Sequence, residues 1–177
     1  MARVSCWTVT DEATSYHLTI RHNVFVSEQR LMVLTDVDEW DRDPNTRHVL
    51  AARDDEIAGT VRLYDLGDGV WKGDRLAVLP GHRASTVGAD LVRYAVATAA
   101  EAGGSVMEAT VQARNTRFFE RLGWSKNGEL GLYFGVPHQP MIIELSDVAP
   151  IASEPTDQAT LRVQAVDMLV SSVLLCA

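Results

Sequence analysis

The sequence predicts an α+β fold in which a mixed β-sheet is flanked by helices. Short apolar or alternating runs, which are typical of strands, are separated by tight turn signals such as Asp54-Asp55 and residues 66–69. Three stretches with apolar residues at helical spacing interrupt these runs. The resulting order, β-α-β-β-β-α-β-α-β-β, combines an antiparallel meander with a parallel crossover and is typical of an α+β domain.

The first predicted elements are a strand at residues 4–9 and a long helix that ends near Glu28. Thr10 or Asp11 is expected to cap this helix, because a short polar side chain can accept hydrogen bonds from its first N–H groups. The apolar face of the helix is predicted to consist of Tyr16, Leu18, Ile20, Val24 and Phe25.

An acidic patch follows the helix and contains Asp36, Asp38, Glu39, Asp41 and Asp43. One interpretation is a solvated loop. The other is that some of these carboxylates line a site for a cationic group, because acidic side chains raise the local concentration of cations. Both interpretations stay open at this stage.

The centre of the sheet is predicted from residues 48–52, residues 57–64 and a strand that begins at Val70 and ends in the apolar run 76–79. Turn signals between these segments predict an antiparallel meander. A helix follows Gly88, and the next strand covers residues 106–111. Because that strand follows a helix that follows a strand, it is expected to pair in parallel with the run 76–79.

The last elements of the predicted domain, residues 1–146, are a short helix at 115–121 and strands at 130–134 and 141–145. Residues 147–177 are predicted to be a linker and a C-terminal helical extension. The extension has an apolar stripe at residues 161–175, which is expected to pack either on its own domain or on a second copy; we favour a homodimer.

Composition limits the classes of function. The chain has 177 residues and a net charge of −8, which argues against a general nucleic-acid binder. Cys6 and Cys176 show no metal-ligand spacing, so we expect no metal site and a cytoplasmic location. No apolar run is long enough to span a membrane, so no membrane association is expected.

The connection after Pro80-Gly81 joins a buried strand to a helix through a turn of small residues. The first turn of a helix has N–H groups without intrahelical partners and the positive end of the helix dipole, so it can bind an anion. Small side chains let a phosphate approach the backbone, and Arg83 adds a charged contact. The alternative is an ordinary turn capped by Ser85 or Thr86.

Three segments follow one another in an order that matches a known family. They are Arg75-Leu76-Ala77-Val78, the loop Arg83-Ala84-Ser85-Thr86-Val87-Gly88, and Phe118-Phe119-Glu120-Arg121-Leu122-Gly123-Trp124. Over roughly residues 4–145 the chain resembles the GNAT superfamily of N-acetyltransferases, whose loop reads Gln/Arg-x-x-Gly-x-Gly/Ala and whose later segment reads Phe-Tyr-Glu-x-Leu-Gly-Phe. The resemblance implies a mostly antiparallel sheet that splays between strands 4 and 5.

Segments near both ends resemble one branch of this family. They are Arg21 with Val24-Phe25-Val26 and Glu28-Gln29, the acidic stretch 36–41, Arg47-His48, and Gly135-Val136-Pro137-His138-Gln139-Pro140-Met141. The N-terminal elements, with Gly59-Thr60-Val61-Arg62-Leu63, are also similar to acyl-homoserine-lactone synthases. Lys72 stands where those synthases have a catalytic glutamate, so their chemistry is not carried over.

The resemblance implies how acetyl-CoA would bind, as the acyl-donor substrate. The backbone of Leu76, Ala77 and Val78 would pair with the pantetheine arm. The pyrophosphate would be bound by the N–H groups of Arg83, Ala84, Ser85, Thr86, Val87, Gly88 and Ala89. Gln112 falls where the family often has an asparagine near the pantetheine, and Phe119 falls where many members have a tyrosine that protonates the leaving thiolate.

The catalytic groups are left as alternatives. His138 is favoured as the general base, because histidine titrates near neutral pH and the matched motif places it at the rim of the site. Glu28, Glu108 and Asp74 are the other candidates for the base. Because Phe119 cannot donate a proton, either Tyr133 or His138 serves as the acid or the thiolate leaves unaided.

The predicted function is transfer of an acetyl group from acetyl-CoA to a primary amine of a small molecule by direct attack. The acidic patch and Glu28 would then attract the cationic amine. A donor with a longer acyl chain is a further alternative. The other class of function is a GNAT fold that binds acyl-CoA or has a regulatory role but does not catalyse transfer. The presence of Thr86 and Phe119 favours this alternative.

Overall fold

The computed structural model describes residues 3–9 and 14–149 of the chain. The strands are β1 (Val4–Thr8), β2 (Arg47–Arg53), β3 (Glu56–Gly67), β4 (Val70–Val78), β5 (Val106–Gln112), β6 (Ser125–Lys126), β7 (Gly131–Tyr133) and β8 (Val136–Glu144). The α-helices are α1 (Thr14–Arg21), α2 (Val87–Glu101) and α3 (Thr116–Arg121).

The described strands form one sheet in the order β1-β2-β3-β4-β5-β8-β6, with β7 paired to β8. Strands β4 and β5 are connected through α2 and run parallel, whereas the other pairs are antiparallel. This arrangement confirms the predicted α+β fold with a mixed, mostly antiparallel sheet.

Two predicted details of the sheet are wrong, and one strand was not predicted. The parallel pairing with β5 uses residues 70–73 of β4 instead of the run 76–79. Strand β8 begins well before residue 141, because Gly135, with φ of 74°, closes a tight turn directly after β7. The two-residue strand β6 was not predicted, because it is too short to show a periodicity.

Helix α1 continues as a π-helix over His22–Glu28, which ends where the sequence predicts. A short 3₁₀-helix, Glu39–Arg42, lies within the acidic patch and begins with a capping box in which Asp38 accepts a hydrogen bond from the Trp40 N–H group. None of the helices in the described ranges is long and apolar enough to cross a membrane.

Two predictions fall outside the described residues. They are the cap at Thr10 or Asp11 and the helix at residues 161–175. The domain boundary at residue 146 and the homodimer depend on that helix, so they stay predictions. At the start of the predicted linker, Val148 packs against the core and its N–H group donates a hydrogen bond to the Leu145 carbonyl.

The helices cover opposite faces of the sheet. Val49 of β2 belongs to the cluster that includes Leu91 of α2, whereas its neighbour Leu50 packs with Ile20 of α1. The two clusters follow from the alternation of side chains along a strand. Burial of each such aliphatic side chain contributes about 1.5–3 kcal/mol to the stability of the fold.

Two buried histidines stack between α1 and β2. The ring centroids of His17 and His48 lie 3.8 Å apart. His17 as a whole is 1% exposed, and the His48 side chain is 11% exposed. The Nδ1 atom of each ring is buried without a hydrogen-bond partner in the described part of the chain. Burial, with the neighbouring His48 and Arg21 charges, lowers the pKa of His17 to about 3. Burial also lowers the pKa of His48 to about 4, although Asp41 opposes this shift.

We predict that the fold loses stability as the pH falls below 7. Both histidines have a folded-state pKa below the unfolded value of 6.5, so the unfolded chain binds these protons first. The stabilisation is therefore complete above about pH 6.5 and is lost as the pH falls toward 4. The free energy of unfolding should decrease by about 2–4 kcal/mol between pH 7 and pH 5, measured by urea denaturation.

The double variant His17→Gln/His48→Gln should lose most of this pH dependence. The exposed His22 provides the matched control, and His22→Gln should keep the wild-type dependence. An equal free energy of unfolding at pH 7 and pH 5 in the wild type would contradict the prediction.

Candidate functional site

Strands β4 and β5 run side by side for only part of their length. Their parallel pairing ends where Gly73 lies opposite Ala109. Beyond this point β4 stays paired with β3 as far as Val78, and β5 stays paired with β8 as far as Gln112. The edge of β4 over residues 74–78 therefore faces a gap, and its main-chain groups on that side can bind a ligand.

A β-bulge in β4 lies at the start of this gap. Arg62 is opposite Asp74 and Thr60 is opposite Ala77, so β4 has one residue more than β3 between the two pairs. Arg75, inside the bulge, has φ of 51°. This left-handed conformation costs a residue with a Cβ about 1–2 kcal/mol. The bulge bends β4 and changes the direction of its main-chain groups next to the gap.

Two cavities meet in the gap, and we call them the outer cleft and the inner cavity. The outer cleft has a volume of about 920 Å³ and passes the N-terminal end of α2, where Arg83, Ser85 and Gly88 line it. The inner cavity has a volume of about 280 Å³, and Tyr64 and Lys72 are among the residues that line it. Six residues line both: Gln29, Leu31, Leu76, Gln112, Asn115 and Phe119.

The loop before α2 leaves several main-chain N–H groups available to a ligand. The N–H groups of Arg83 and Ser85 donate to the carbonyls of Pro80 and His82, and the Val87 N–H donates to the Ser85 Oγ. Thr86 makes no capping hydrogen bond. Within the described ranges no acceptor binds the N–H groups of Ala84, Thr86, Gly88 and Ala89.

Arg83 and Glu28 form a bidentate ion pair across the outer cleft. The Arg83 Nη1 and Nη2 atoms donate to the two carboxylate oxygens of Glu28 at 2.6 Å each, and both side chains are about 40% exposed. The Arg83 Nε also donates to the Val78 carbonyl at 2.9 Å. The hydrogen bond and charge of Arg83 lower the pKa of Glu28. Glu28 lines only the outer cleft, so this geometry disfavours Glu28 as the general base.

His138 and Tyr133 lie together in the inner cavity. Their ring centroids are 5.3 Å apart, His138 is buried and Tyr133 is exposed at the rim. The Nδ1 of His138 is 2.8 Å from the Val136 carbonyl oxygen. Because a carbonyl can only accept, Nδ1 must carry the hydrogen, which leaves the Nε2 lone pair of the neutral ring free to take a proton.

Phe119 and Gln112 lie where the two cavities meet, whereas Glu108 does not. Phe119 is buried and contacts Trp124 edge to face. The Gln112 side-chain amide donates to Gln29 at 2.8 Å and so connects β5 with the end of the π-helix. Glu108 is in the part of β5 that pairs with β4 and lines neither cavity, so it is not retained as a base.

The predicted strand and loop residues differ in how they meet the outer cleft. Leu76 and Val78 line the outer cleft. Ala77, which pairs with β3, has its side chain buried in the core cluster under α1. Val87 is fully buried in the core, so only its main chain belongs to the loop. A Cβ added at Gly88 would contact Val78 at an ordinary 3.6 Å.

An ion network that the sequence did not predict lies beside the inner cavity. Its members are Arg21, Arg62, Arg75, Asp36, Asp38, Asp41 and Asp74. Arg62 donates to both carboxylate oxygens of Asp38, at 2.6 and 2.8 Å, and to Asp74 at 2.8 Å. Burial opposes ionisation of Asp38, but the hydrogen bonds and charge of Arg62 lower the pKa of Asp38.

The network changes the interpretation of the acidic patch. Asp36 and Asp41 are bound by Arg21, and Asp38 is bound by Arg62, so these three carboxylates already have cationic partners and are not free to attract another cation. The signal in the sequence is Arg62, the charged residue within the otherwise uncharged run 57–64 of β3. Its burial requires a carboxylate partner, because an unpaired buried charge is very costly.

One group of side chains has the composition of a metal site. Potential ligand atoms of His17, Asp41 and His48 lie within 4.8 Å of one another. However, Asp41 already accepts hydrogen bonds from Arg21 and forms an ion pair with Arg62 at 3.0 Å. Two guanidinium groups beside the carboxylate oppose binding of a further cation, so we assign no metal to this cluster.

Comparisons with known proteins agree with this geometry. The model of the Acetyltransferase (GNAT) family matches residues 10–124. A Bacillus subtilis (strain 168) protein described as the uncharacterized N-acetyltransferase YjcF is 27% identical over 124 residues, which is 70% of this chain and 86% of that protein.

Two solved structures share the fold. An acyl-CoA N-acyltransferase from Pseudomonas aeruginosa has a TM-score of 0.68 and 24% identity, covering 80% of this chain and 99% of that one. The acyl-homoserine lactone synthase BjaI has a TM-score of 0.67 and 15% identity, covering 94% of this chain and 100% of that one. Because the family model spans more than half of the sequence, the chain belongs to the acetyltransferase (GNAT) family.

Proposed function

We propose that the protein transfers an acetyl group from acetyl-CoA to a primary amine of a small molecule by direct attack of the amine on the thioester. The observation that carries this proposal is the meeting of two cavities in the gap between β4 and β5. One cavity has the groups needed to bind a diphosphate. The other has a histidine that can accept a proton.

The diphosphate would bind at the N-terminal end of α2. Four N–H groups of the loop, those of Ala84, Thr86, Gly88 and Ala89, have no acceptor among the described residues. Together with the dipole of the 15-residue helix they favour an anion. Arg83 lines the same cleft and can exchange Glu28 for a phosphate oxygen, because it binds either anion with the same bidentate geometry.

The pantetheine arm would lie along the unpaired edge of β4. Leu76 lines both cavities, so an arm that follows this edge brings the thioester to the place where the cavities meet. Main-chain N–H groups on a free strand edge can pair with the amides of the arm and polarise the thioester carbonyl. The bulge at Arg75 sets the direction of these groups.

Transfer forms a C–N bond and breaks the C–S bond of the thioester. The amine must be neutral to attack, so its ammonium first loses a proton, for which His138 Nε2 is the proposed acceptor. Holding the amine and the thioester in one cavity supplies much of the remaining rate enhancement. The thiolate leaves with the electron pair and takes a proton from a group in the inner cavity, for which we propose Tyr133 because Phe119 has no acidic hydrogen. The nitrogen, which is positively charged after the attack, releases its second proton as the amide forms, and this proton restores the phenol of Tyr133.

The proposed function can be tested with the full chain. Thermal-shift titration with acetyl-CoA measures binding, and release of free CoA thiol is then followed with a panel of primary amines. Binding together with amine-dependent thiol release is expected. Binding without release from any amine would instead support a protein that only binds acyl-CoA, and the absence of binding would overturn the placement of the diphosphate.

Replacing Arg83 should separate diphosphate binding from pantetheine binding. Arg83→Gln removes a charged hydrogen-bond donor, so the Kd for acetyl-CoA should rise about tenfold or more. Binding of pantetheine, which lacks the diphosphate, should change little. Glu28→Gln releases Arg83 from its ion pair and should tighten acetyl-CoA binding a few-fold. An unchanged Kd in Arg83→Gln, measured by isothermal titration calorimetry, would contradict the prediction.

Replacing His138 should change how the rate depends on pH. His138→Gln keeps a hydrogen-bonding side chain of similar size but removes the proton acceptor. The rate at neutral pH should fall about 100-fold or more, and kcat/KM should lose the decline toward acidic pH. A variant with the wild-type profile would show that His138 is not the base.

Phe119→Tyr should supply the hydroxyl that the family's tyrosine provides. Phe119 lines both cavities, so the new phenol lies next to the thioester, and kcat should rise about tenfold. Phe119→Leu, which removes the ring without adding a hydroxyl, should not raise kcat. If Phe119→Tyr lowers the melting temperature and leaves kcat unchanged, the hydroxyl is buried in the core and the prediction is wrong.

A further inference from the structure

A lysine without a carboxylate partner lines the inner cavity. Lys72 is half-buried on β4, and its ammonium contacts the hydroxyl of Thr110 at 3.3 Å. No ion pair joins Lys72 to an acidic side chain within the described ranges, although Glu108 is its neighbour in register on β5. A cation in a partly dehydrated site gains free energy from a counter-ion.

The other charged side chains that line the inner cavity are already paired. Asp74 accepts hydrogen bonds from Arg62 at 2.8 and 2.7 Å. Arg75 donates to Asp38 at 2.9 Å and to the Asp36 carbonyl. Among the described residues that line this cavity, Lys72 therefore has the unpaired charge that is available to a ligand.

We infer that Lys72 binds a carboxylate of the acceptor, so that the acceptors are amines that also have a carboxylate, such as amino acids. This inference rests on the proposed function. An acceptor with only an ammonium group would bring a second cation beside Lys72, and like charges in a cleft repel each other. A zwitterion supplies the missing anion for Lys72 and presents its amine to the thioester.

The dimensions of β4 allow one small molecule to reach both the Lys72 ammonium and the thioester that is proposed to lie beside Leu76. Lys72 and Leu76 are four residues apart, which is about 13 Å along an extended strand and less across a bulge. The flexible four-carbon stem of lysine covers much of this distance. Thr110 lines the same cavity, and its hydroxyl can donate a hydrogen bond to a carboxylate.

The experiment compares amino acids with their carboxamides, which keep the amine and the side chain but lack the negative charge. Thiol release from acetyl-CoA is measured for the wild type, Lys72→Met and Lys126→Met. Lys126 is an exposed lysine paired with Glu120, and it is the other lysine of the chain, so it controls for loss of a positive charge.

The wild type and Lys126→Met should prefer an amino acid over its amide at least tenfold in kcat/KM. In Lys72→Met the KM for the amino acid should rise at least tenfold, while kcat/KM for the amide should not fall and should rise a few-fold, because the like charge beside its ammonium is gone. Equal use of acids and amides by the wild type, or equal loss for both in Lys72→Met, would overturn the inference.

A second measurement does not depend on turnover. Reductive methylation followed by mass spectrometry reports how accessible Lys72 and Lys126 are. Amino acids, but not their amides, should slow methylation of Lys72 at least threefold and leave Lys126 unaffected. If no amine is acetylated, the proposed function fails; protection of Lys72 then still supports the carboxylate site, and the absence of protection overturns it.

Discussion

The ion pairs of Arg75 hold the conformation on which the candidate site depends. Arg75 has a positive φ in the β4 bulge, which costs about 1–2 kcal/mol. Its guanidinium donates to Asp38 at 2.9 Å and to the Asp36 carbonyl, and a hydrogen bond to a charged group contributes about 1.5–3 kcal/mol. The contacts therefore offset the cost of the bulge, and the bulge turns β4 away from β5 immediately after their last pair.

The same network joins elements that are distant in the sequence. Arg21 at the end of α1 and Arg62 of β3 both pair with Asp41 of the 3₁₀-helix. Arg62 also pairs with Asp38, which caps that helix, and with Asp74 of β4. Buried ion pairs add little net stability, because dehydration offsets their attraction. Loss of one partner is nevertheless costly, because it leaves a buried charge. The network therefore fixes one arrangement of the wall of the inner cavity more than it raises overall stability.

The sequence was sufficient for features that local patterns and short motifs determine. Alternating residues predicted the strands of the meander, and small residues before an apolar helix predicted the loop at Arg83. The missing information concerns long-range pairs. Nothing near Arg83 indicates Glu28, 55 residues away, as its partner. The partners of Arg62 could not be predicted either, because whether a carboxylate is solvated or bound depends on which loop covers the strand. Strand β8 began earlier than predicted because pairing with β5 and β7 outweighs the proline-rich composition of its first residues.

The Glu28–Arg83 ion pair lines the outer cleft and is easy to break. Both side chains are about 40% exposed, and ion pairs of such exposure contribute about 0–1 kcal/mol. A diphosphate bound as proposed would offer Arg83 an equivalent bidentate partner and would also bind the open N–H groups of the loop, so exchange of partners would favour the ligand. Glu28, released by the exchange, would lie at the cleft beside Gln29, which contacts Gln112 where the cavities meet. If the donor binds as proposed, its binding would therefore be coupled to the end of the π-helix through one exposed ion pair.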